Sequence, residues 1–122
     1  MDTKVQFQIV ITTVGRRNEA RRLARKMVDS RLAACVQVFP IRSVYRWKGK
    51  VEQASEYRLE AKTRSALVPR LMSLIRRCHS YELPEIVAVP IRGGLAGYLR
   101  WIREETRNQR LSAASRGREK PL

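Results

Sequence analysis

The stretch Ile41-Arg42-Ser43-Val44-Tyr45-Arg46-Trp47-Lys48-Gly49-Lys50-Val51-Glu52 decides the fold. Its centre, Trp47-Lys48-Gly49-Lys50, reads as a tight hairpin turn in which Gly49 takes a positive φ without steric cost. Upstream, residues 33–47 are extended, with Cys35, Val36, Val38 and Phe39 ahead of Pro40. Proline has no amide to give to a ladder, so Pro40 belongs on an edge strand or at a bulge. Downstream, residues 51–62 return. Tyr57, Leu59 and Ala61 share one face, and Glu52, Glu56, Arg58, Glu60 and Lys62 mostly share the other. Twelve or more residues at about 3.3 Å each reach roughly 40 Å, whereas an ordinary strand has about 5–6 residues. A domain of this size cannot cover such a ribbon alone. Tyr45, Trp47 and Tyr57 therefore predict an interface with further copies of the chain.

Working outward, residues 5–13 alternate as a strand and are apolar on both sides around Ile9-Val10-Ile11, which predicts cover on both faces. A turn at Val14-Gly15 leads to a helix capped by Asn18. Its apolar face is Ala20, Leu23, Ala24, Met27 and Val28, and it ends near Ser30 and Arg31. After the hairpin a second helix follows, with Ser65 as cap, Pro69 in its first turn, and Leu67, Val68, Leu71, Met72, Ile75 and Cys78 as the buried stripe. Residues 78–84 read as a loop. Residues 85–91, bracketed by Pro84 and Pro90, read as a second edge strand, and Gly93-Gly94 ends it. A last helix covers 96–105, with Leu95, Tyr98, Leu99 and Ile102 on one face. The order β-α-β-β-α-β plus a helix is an α+β, ferredoxin-like sandwich with the first and return strands at its centre. Residues 1–105 form that domain. Residues 106–122 form a basic tail too polar to pack, expected to be disordered.

The 122 residues carry 26 Lys and Arg, 20 of them Arg, against 11 Asp and Glu, for a net charge of +15. Such a surface attracts phosphates, acidic proteins or anionic membranes. Cys35 and Cys78 allow one disulfide but suggest no framework. The opening Met1-Asp2-Thr3-Lys4 shows no signal peptide, and no stretch reaches the roughly 18–20 apolar residues of a membrane span. The expectation is a soluble, cytoplasmic protein with no membrane partner. The basic-Gly-aromatic signature of RNA-binding sheets, zinc-finger spacing and a Walker loop are all absent, so nucleic acid remains only a nonspecific alternative.

His79 is the sole histidine, with Cys78 beside it and Glu85 six residues on. Imidazole, thiol and carboxylate suit copper or zinc, although three donors fall short of a closed four-ligand site. The competing reading makes Cys78 the end of the helical stripe and His79 a helix-terminal residue bonding a carbonyl. Trp47, Lys62, Tyr81 and Glu82 are assigned to a cleft between subunits. Glu82 and Glu85 have the chemistry of acid–base groups, but no nucleophile–base pair stands beside them, so no enzyme activity is expected. Cys35 reads as a small buried hydrophobe, Trp101 as packing, and Arg16, Arg17, Arg21, Arg22 and Arg25 as a solvated face.

Three stretches, Arg31-Leu32-Ala33-Ala34-Cys35-Val36, Ser43-Val44-Tyr45-Arg46-Trp47-Lys48-Gly49 and His79-Ser80-Tyr81-Glu82-Leu83-Pro84-Glu85-Ile86, together with Gly94-Leu95 and Tyr98-Leu99 through Trp101-Ile102, resemble the CutA family. The likeness covers residues 5–105 in the same order. It implies a ferredoxin-like subunit, a tight homotrimer built on the long hairpins, and a role in divalent-cation tolerance with copper binding. Where some family members carry a copper-associated thiol at the end of the first strand, this chain has Thr12, a poor copper ligand. The family trimer is similar to that of PII signalling proteins. That likeness adds the alternative of a signalling module that holds a small anion in the intersubunit cleft and docks on an unknown protein target.

Overall fold

In the computed structural model, which describes residues 5–107, β1 (Phe7–Val14) is buried on both faces over its last five residues, as its double-sided apolar pattern predicts. Its neighbours are β3 (Lys50–Arg64) and β4 (Ile86–Ile91), and β2 (Cys35–Trp47) forms the outer edge beyond β3. All pairings are antiparallel, in the order β2-β3-β1-β4. This is an α+β fold with one four-stranded sheet and three helices, α1 (Arg17–Asp29), α2 (Val68–Cys78) and α3 (Ala96–Glu105). Both prolines of the edge strands sit where their missing amides cost nothing to the centre. The β2–β3 register runs unbroken from Cys35↔Lys62 to Trp47↔Lys50, so Pro40 marks an edge and not a bulge.

Helices α1 and α2 cover one face of the sheet. Val10, Val14, Leu59 and Ala61 pack there against Ala20, Leu23, Met27, Leu71 and Ile75. Met27, Leu59, Leu71 and Ile75 have no exposed surface, and each contributes about 1.5–3 kcal/mol of burial. On the opposite face α3 packs Ile102, with Tyr98, Leu99 and Trp101, onto Phe7 and Ala34. This second cover is short. Strand parity puts Phe39 and Tyr45 of β2 and Val87 and Val89 of β4 on the α3 face, and all four are exposed.

Several local expectations are corrected. Asn18 lies inside α1, whose N-cap is Arg16. Ser65 opens a 3-10 turn and does not cap α2; its hydroxyl donates to the Val5 carbonyl and accepts from Gln8. Cys78 and Leu95 are exposed, so the apolar stripes of α2 and α3 stop short of them. Thr106, assigned to the tail, is buried against α3 and β3, while residues 108–122 lie outside the described part, as do residues 1–4 at the start. No helix among the described residues is long and apolar enough to cross a membrane.

At the hairpin tip Lys48 and Gly49 have φ of 50° and 83°. Two successive positive values make a type I′ turn, whose twist matches that of the strands. The β1–β3 ladder stops at Val14↔Tyr57, so among the described residues the seven rungs from Ile41↔Glu56 to Trp47↔Lys50 have no third strand beside them.

Candidate functional site

A cleft of about 850 Å³ lies where this unsupported ribbon meets the loop after α2. Thr13, next to last in β1, lines it, Ser43, Tyr45 and Trp47 come from one face of β2, and the loop supplies Ser80, Tyr81, Glu82 and Glu85. Glu56 joins them from β3 and is only 6% exposed. A carboxylate so buried needs a donor, and the Tyr81 hydroxyl supplies one at 2.7 Å. Burial first, then the hydrogen bond to Glu56 and the charge of Glu56, holds the Tyr81 phenol well above its ordinary range. Gly15 makes that approach available: a Cβ there would lie 3.1 Å from the Tyr81 hydroxyl. The loop is pinned at its start by Glu19 of α1, which accepts from the Ser80 amide at 3.1 Å and hydroxyl at 3.0 Å.

His79 is engaged at both ring nitrogens. Nε2 lies 2.8 Å from the Thr13 carbonyl oxygen, which only accepts, so Nε2 carries the proton. Nδ1 then accepts the Tyr81 amide at 3.1 Å. The neutral imidazole thus staples the loop to the end of β1, which is the carbonyl-bonding alternative read from the sequence. To ligate a metal through Nδ1, it would have to release the Tyr81 amide. Cys78 is exposed, and no three His, Cys, Asp or Glu side chains gather into a metal-holding group among the described residues. Within one subunit, Cys78, His79 and Glu85 therefore do not make a fitted metal centre. Thr12 is fully buried under α1 and α2, and its hydroxyl has no hydrogen-bond partner, so it is out of reach of solvent ions.

Of the cleft residues read from the sequence, Trp47, Tyr81 and Glu82 do come together, and Glu85 with them. Lys62 does not: it pairs with Ile9 and Cys35 near the far end of β1 and donates to Gln37. Lys62 therefore lies outside this cleft of the single subunit. Lys48 stands beside two of the lining residues, with Nζ 5.5 Å from the Trp47 ring centre and 3.8 Å from a Glu82 oxygen. Tyr57 belongs to the helix-covered side, packed against the core beneath the Arg17 guanidinium at 5.9 Å. Glu56 was missed because alternation placed it among solvated charges. Its partner is 25 residues away, and only Gly15, a gap at the end of a strand, hints at the close approach.

Comparison with known proteins fits this arrangement. The family described as CutA1 divalent ion tolerance protein matches residues 8–105. Human protein CutA is 47% identical over 88 residues, 71% of this chain and 49% of its own length. The divalent-cation tolerance protein CutA of Thermus thermophilus is 42% identical over 100 residues, 81% of this chain and 97% of its own. The chain thus spans about half the length of the human relative it matches and nearly all of the bacterial one. Among solved structures, CutA1 from Oryza sativa superposes with a TM-score of 0.81 at 40% identity, covering 87% of this chain and 98% of that one. A structure described as the periplasmic divalent cation tolerance protein CutA of Archaeoglobus fulgidus gives 0.81 at 38% identity, covering 83% and 99%. The chain belongs to the CutA1 divalent ion tolerance family.

Proposed function

We propose that this chain works as a ferredoxin-like, cytoplasmic homotrimer in divalent-cation tolerance, taking up cations, copper(II) included, weakly at the carboxylates of its cleft. One observation carries the assembly. The α3 face of the sheet leaves Phe39, Tyr45, Val87 and Val89 exposed, and seven rungs of the ribbon have no neighbour. Apolar area of that kind, contiguous with an unpaired edge, is stabilised by association. Tyr45 and Trp47 lie on that face and fit the interface role assigned to them; Tyr57 faces the subunit's own helices.

The cation reading rests on Glu56, Glu82 and Glu85, three of only 11 acidic residues, sharing one cleft. Hard or borderline cations accept carboxylate oxygen. Two of the three are at the exposed rim, where a second subunit has access to complete the donor set. The same lining disfavours the alternative of an anion held in this cleft. The reading assigns no reaction.

Light scattering of dilute protein, before and after chelator, tests assembly. A trimer is expected in both, and Phe39→Asp with Val89→Asp should release monomers. A monomeric wild type with Tyr45 open to water removes the assembly. Copper(II) uptake by equilibrium dialysis tests the cleft. It should fall at least tenfold in Glu82→Gln/Glu85→Gln and persist in Cys78→Ser; unchanged uptake in the double variant removes the cation site.

A further inference from the structure

At the other end of the sheet lies a second, smaller cavity of about 360 Å³, and its walls are of the opposite sign. Arg31 follows α1, Arg64 ends β3, Arg70 stands in the first turn of α2 and Arg107 follows α3, so four elements each deliver one guanidinium to one pocket. Among the described residues Asp29 is the one carboxylate in the lining, and both its oxygens are taken by the Arg25 Nε at 3.0 and 3.1 Å.

Two of the arginines are pre-positioned. Arg64 donates Nε to the Thr106 hydroxyl at 2.9 Å and Nη2 to the Thr106 carbonyl at 2.8 Å. A guanidinium has five N–H donors, so three remain. Arg31 is held by the Glu105 carbonyl at 3.1 Å, with the Glu105 carboxylate 3.6 Å away, and its backbone sits at φ 62°, the left-handed region where a non-glycine residue costs about 1 kcal/mol or more. Burial first, and then like charge from Arg103 and Arg107, pulls the Arg64 pKa down. Four cations share this pocket against the Glu105 carboxylate 3.6 Å from Arg31 and an Asp29 already engaged by Arg25, an excess of positive charge that an incoming anion relieves. The positive N-terminal end of α2 also starts at this pocket, although the C-terminal end of α1 opposes it.

We propose that this pocket binds a compact, multiply charged phosphate anion, through Arg31, Arg64, Arg70 and Arg107. The forked guanidinium matches phosphate oxygens pairwise, which a lysine cluster would not do. The volume suits a diphosphate group, whether free pyrophosphate or the terminal diphosphate of a nucleotide. The site is independent of the cation cleft: Arg64 and Glu56 sit on the same face of β3, eight residues and roughly 26 Å apart.

The test is isothermal titration of the full-length protein with pyrophosphate, inorganic phosphate and a nucleoside diphosphate at about 0.15 M salt, where loose surface attraction is largely screened. Pyrophosphate should bind saturably and more tightly than phosphate. Binding of the nucleoside diphosphate with an affinity like that of pyrophosphate identifies the diphosphate alone as the recognised group, and tighter binding adds the nucleoside; both support the site. Arg70→Glu, exposed and without a packing role, should weaken binding at least tenfold. Arg46→Glu on the ribbon changes net charge equally and should leave binding within twofold. Equal weakening by the two variants means a diffuse charge effect and overturns the proposal, as does absence of saturable pyrophosphate binding in the wild type. A short oligonucleotide that binds equally to wild type and Arg70→Glu, without displacement by pyrophosphate, also overturns it.

Discussion

The two ends of β3 solve one problem with opposite signs. Near the ribbon, Glu56 is buried and accepts a hydrogen bond from the Tyr81 hydroxyl. At the strand's other end, half-buried Arg64 donates to the hydroxyl and carbonyl of Thr106. A charge withdrawn from water needs partners, and an ion pair is the usual answer. Here both partners are neutral. Neutral partners fix a charged group in place without cancelling it, so the cleft keeps its negative charge and the far pocket its positive charge. Each end of the strand is thereby left with a charge that its own hydrogen-bond partner does not cancel. The ion pair of Lys48 with Glu82 at 3.8 Å at the ribbon end has both side chains exposed and contributes little.

The largest expected effect is at the basic end. Arg64→Ala removes two charged hydrogen bonds that tie the end of α3 to β3, and should cost about 2–3 kcal/mol in chemical denaturation at fixed protein concentration. Arg64→Lys should recover less than half of this, because an ammonium lacks the fork that reaches both acceptors. A loss below about 0.5 kcal/mol would mean that Arg64 is not a structural tie. At the acidic end, a double-mutant cycle between Glu56→Ala and Tyr81→Phe should give a coupling of about 1–2 kcal/mol, smaller because one partner lies at the rim. A coupling larger than the Arg64 effect would reverse the ranking of the two ends. Gly15→Ala should cost about 1 kcal/mol, since its new methyl group meets the Tyr81 hydroxyl at 3.1 Å and loosens the Glu56 contact. The loss should vanish in a Tyr81→Phe background, and its persistence there would move the strain elsewhere.

Much of the fold was legible because it follows from short-range periodicity. The alternation of β1, the three-four spacing of α1 and α2, the Lys48-Gly49 turn and the strand-bracketing Pro40, Pro84 and Pro90 all report on nearest neighbours, and the observed strand order follows from them. The sites were less legible for the complementary reason. His79, Tyr81 and Glu82 stood out by residue type and do line or brace the cleft, yet Glu56 looked like one more solvated glutamate. Its burial depends on a loop that crosses the end of β1 only after α2 has been placed. The arginine pocket was invisible along the chain, since Arg31, Arg64, Arg70 and Arg107 are dispersed among 20 arginines. Helix caps failed for a similar reason: Ser65 was claimed by Gln8 and Val5 from β1 and its lead-in, contacts absent from any local window.

The smallest effect is in alkali, and it separates charge from burial. Tyr98, which α3 packs onto the sheet at the Arg64 end, has its phenol pushed up to about 12 by burial first and then by the Cys35 thiol 3.6 Å away. Tyr81 is raised at the other end by burial and then by Glu56. Free tyrosine ionises near about 10, so above that pH the unfolded chain gives up protons that the folded chain keeps. Stability from both rings is therefore complete below about pH 10 and falls as the pH rises through the folded values. Denaturation midpoints from about pH 9 to 11 should decline less steeply in Tyr98→Phe and in Tyr81→Phe than in the wild type. Glu56→Gln keeps an acceptor but removes the charge. The Tyr81 transition, followed by phenolate absorbance against a Tyr81→Phe reference, should move down without reaching the ordinary range, because burial is the larger cause. The Tyr98 transition should stay where it is. If Glu56→Gln moves both rings or neither, the acidic end does not owe its character to Glu56, and the contrast between the two ends of β3 fails at its source.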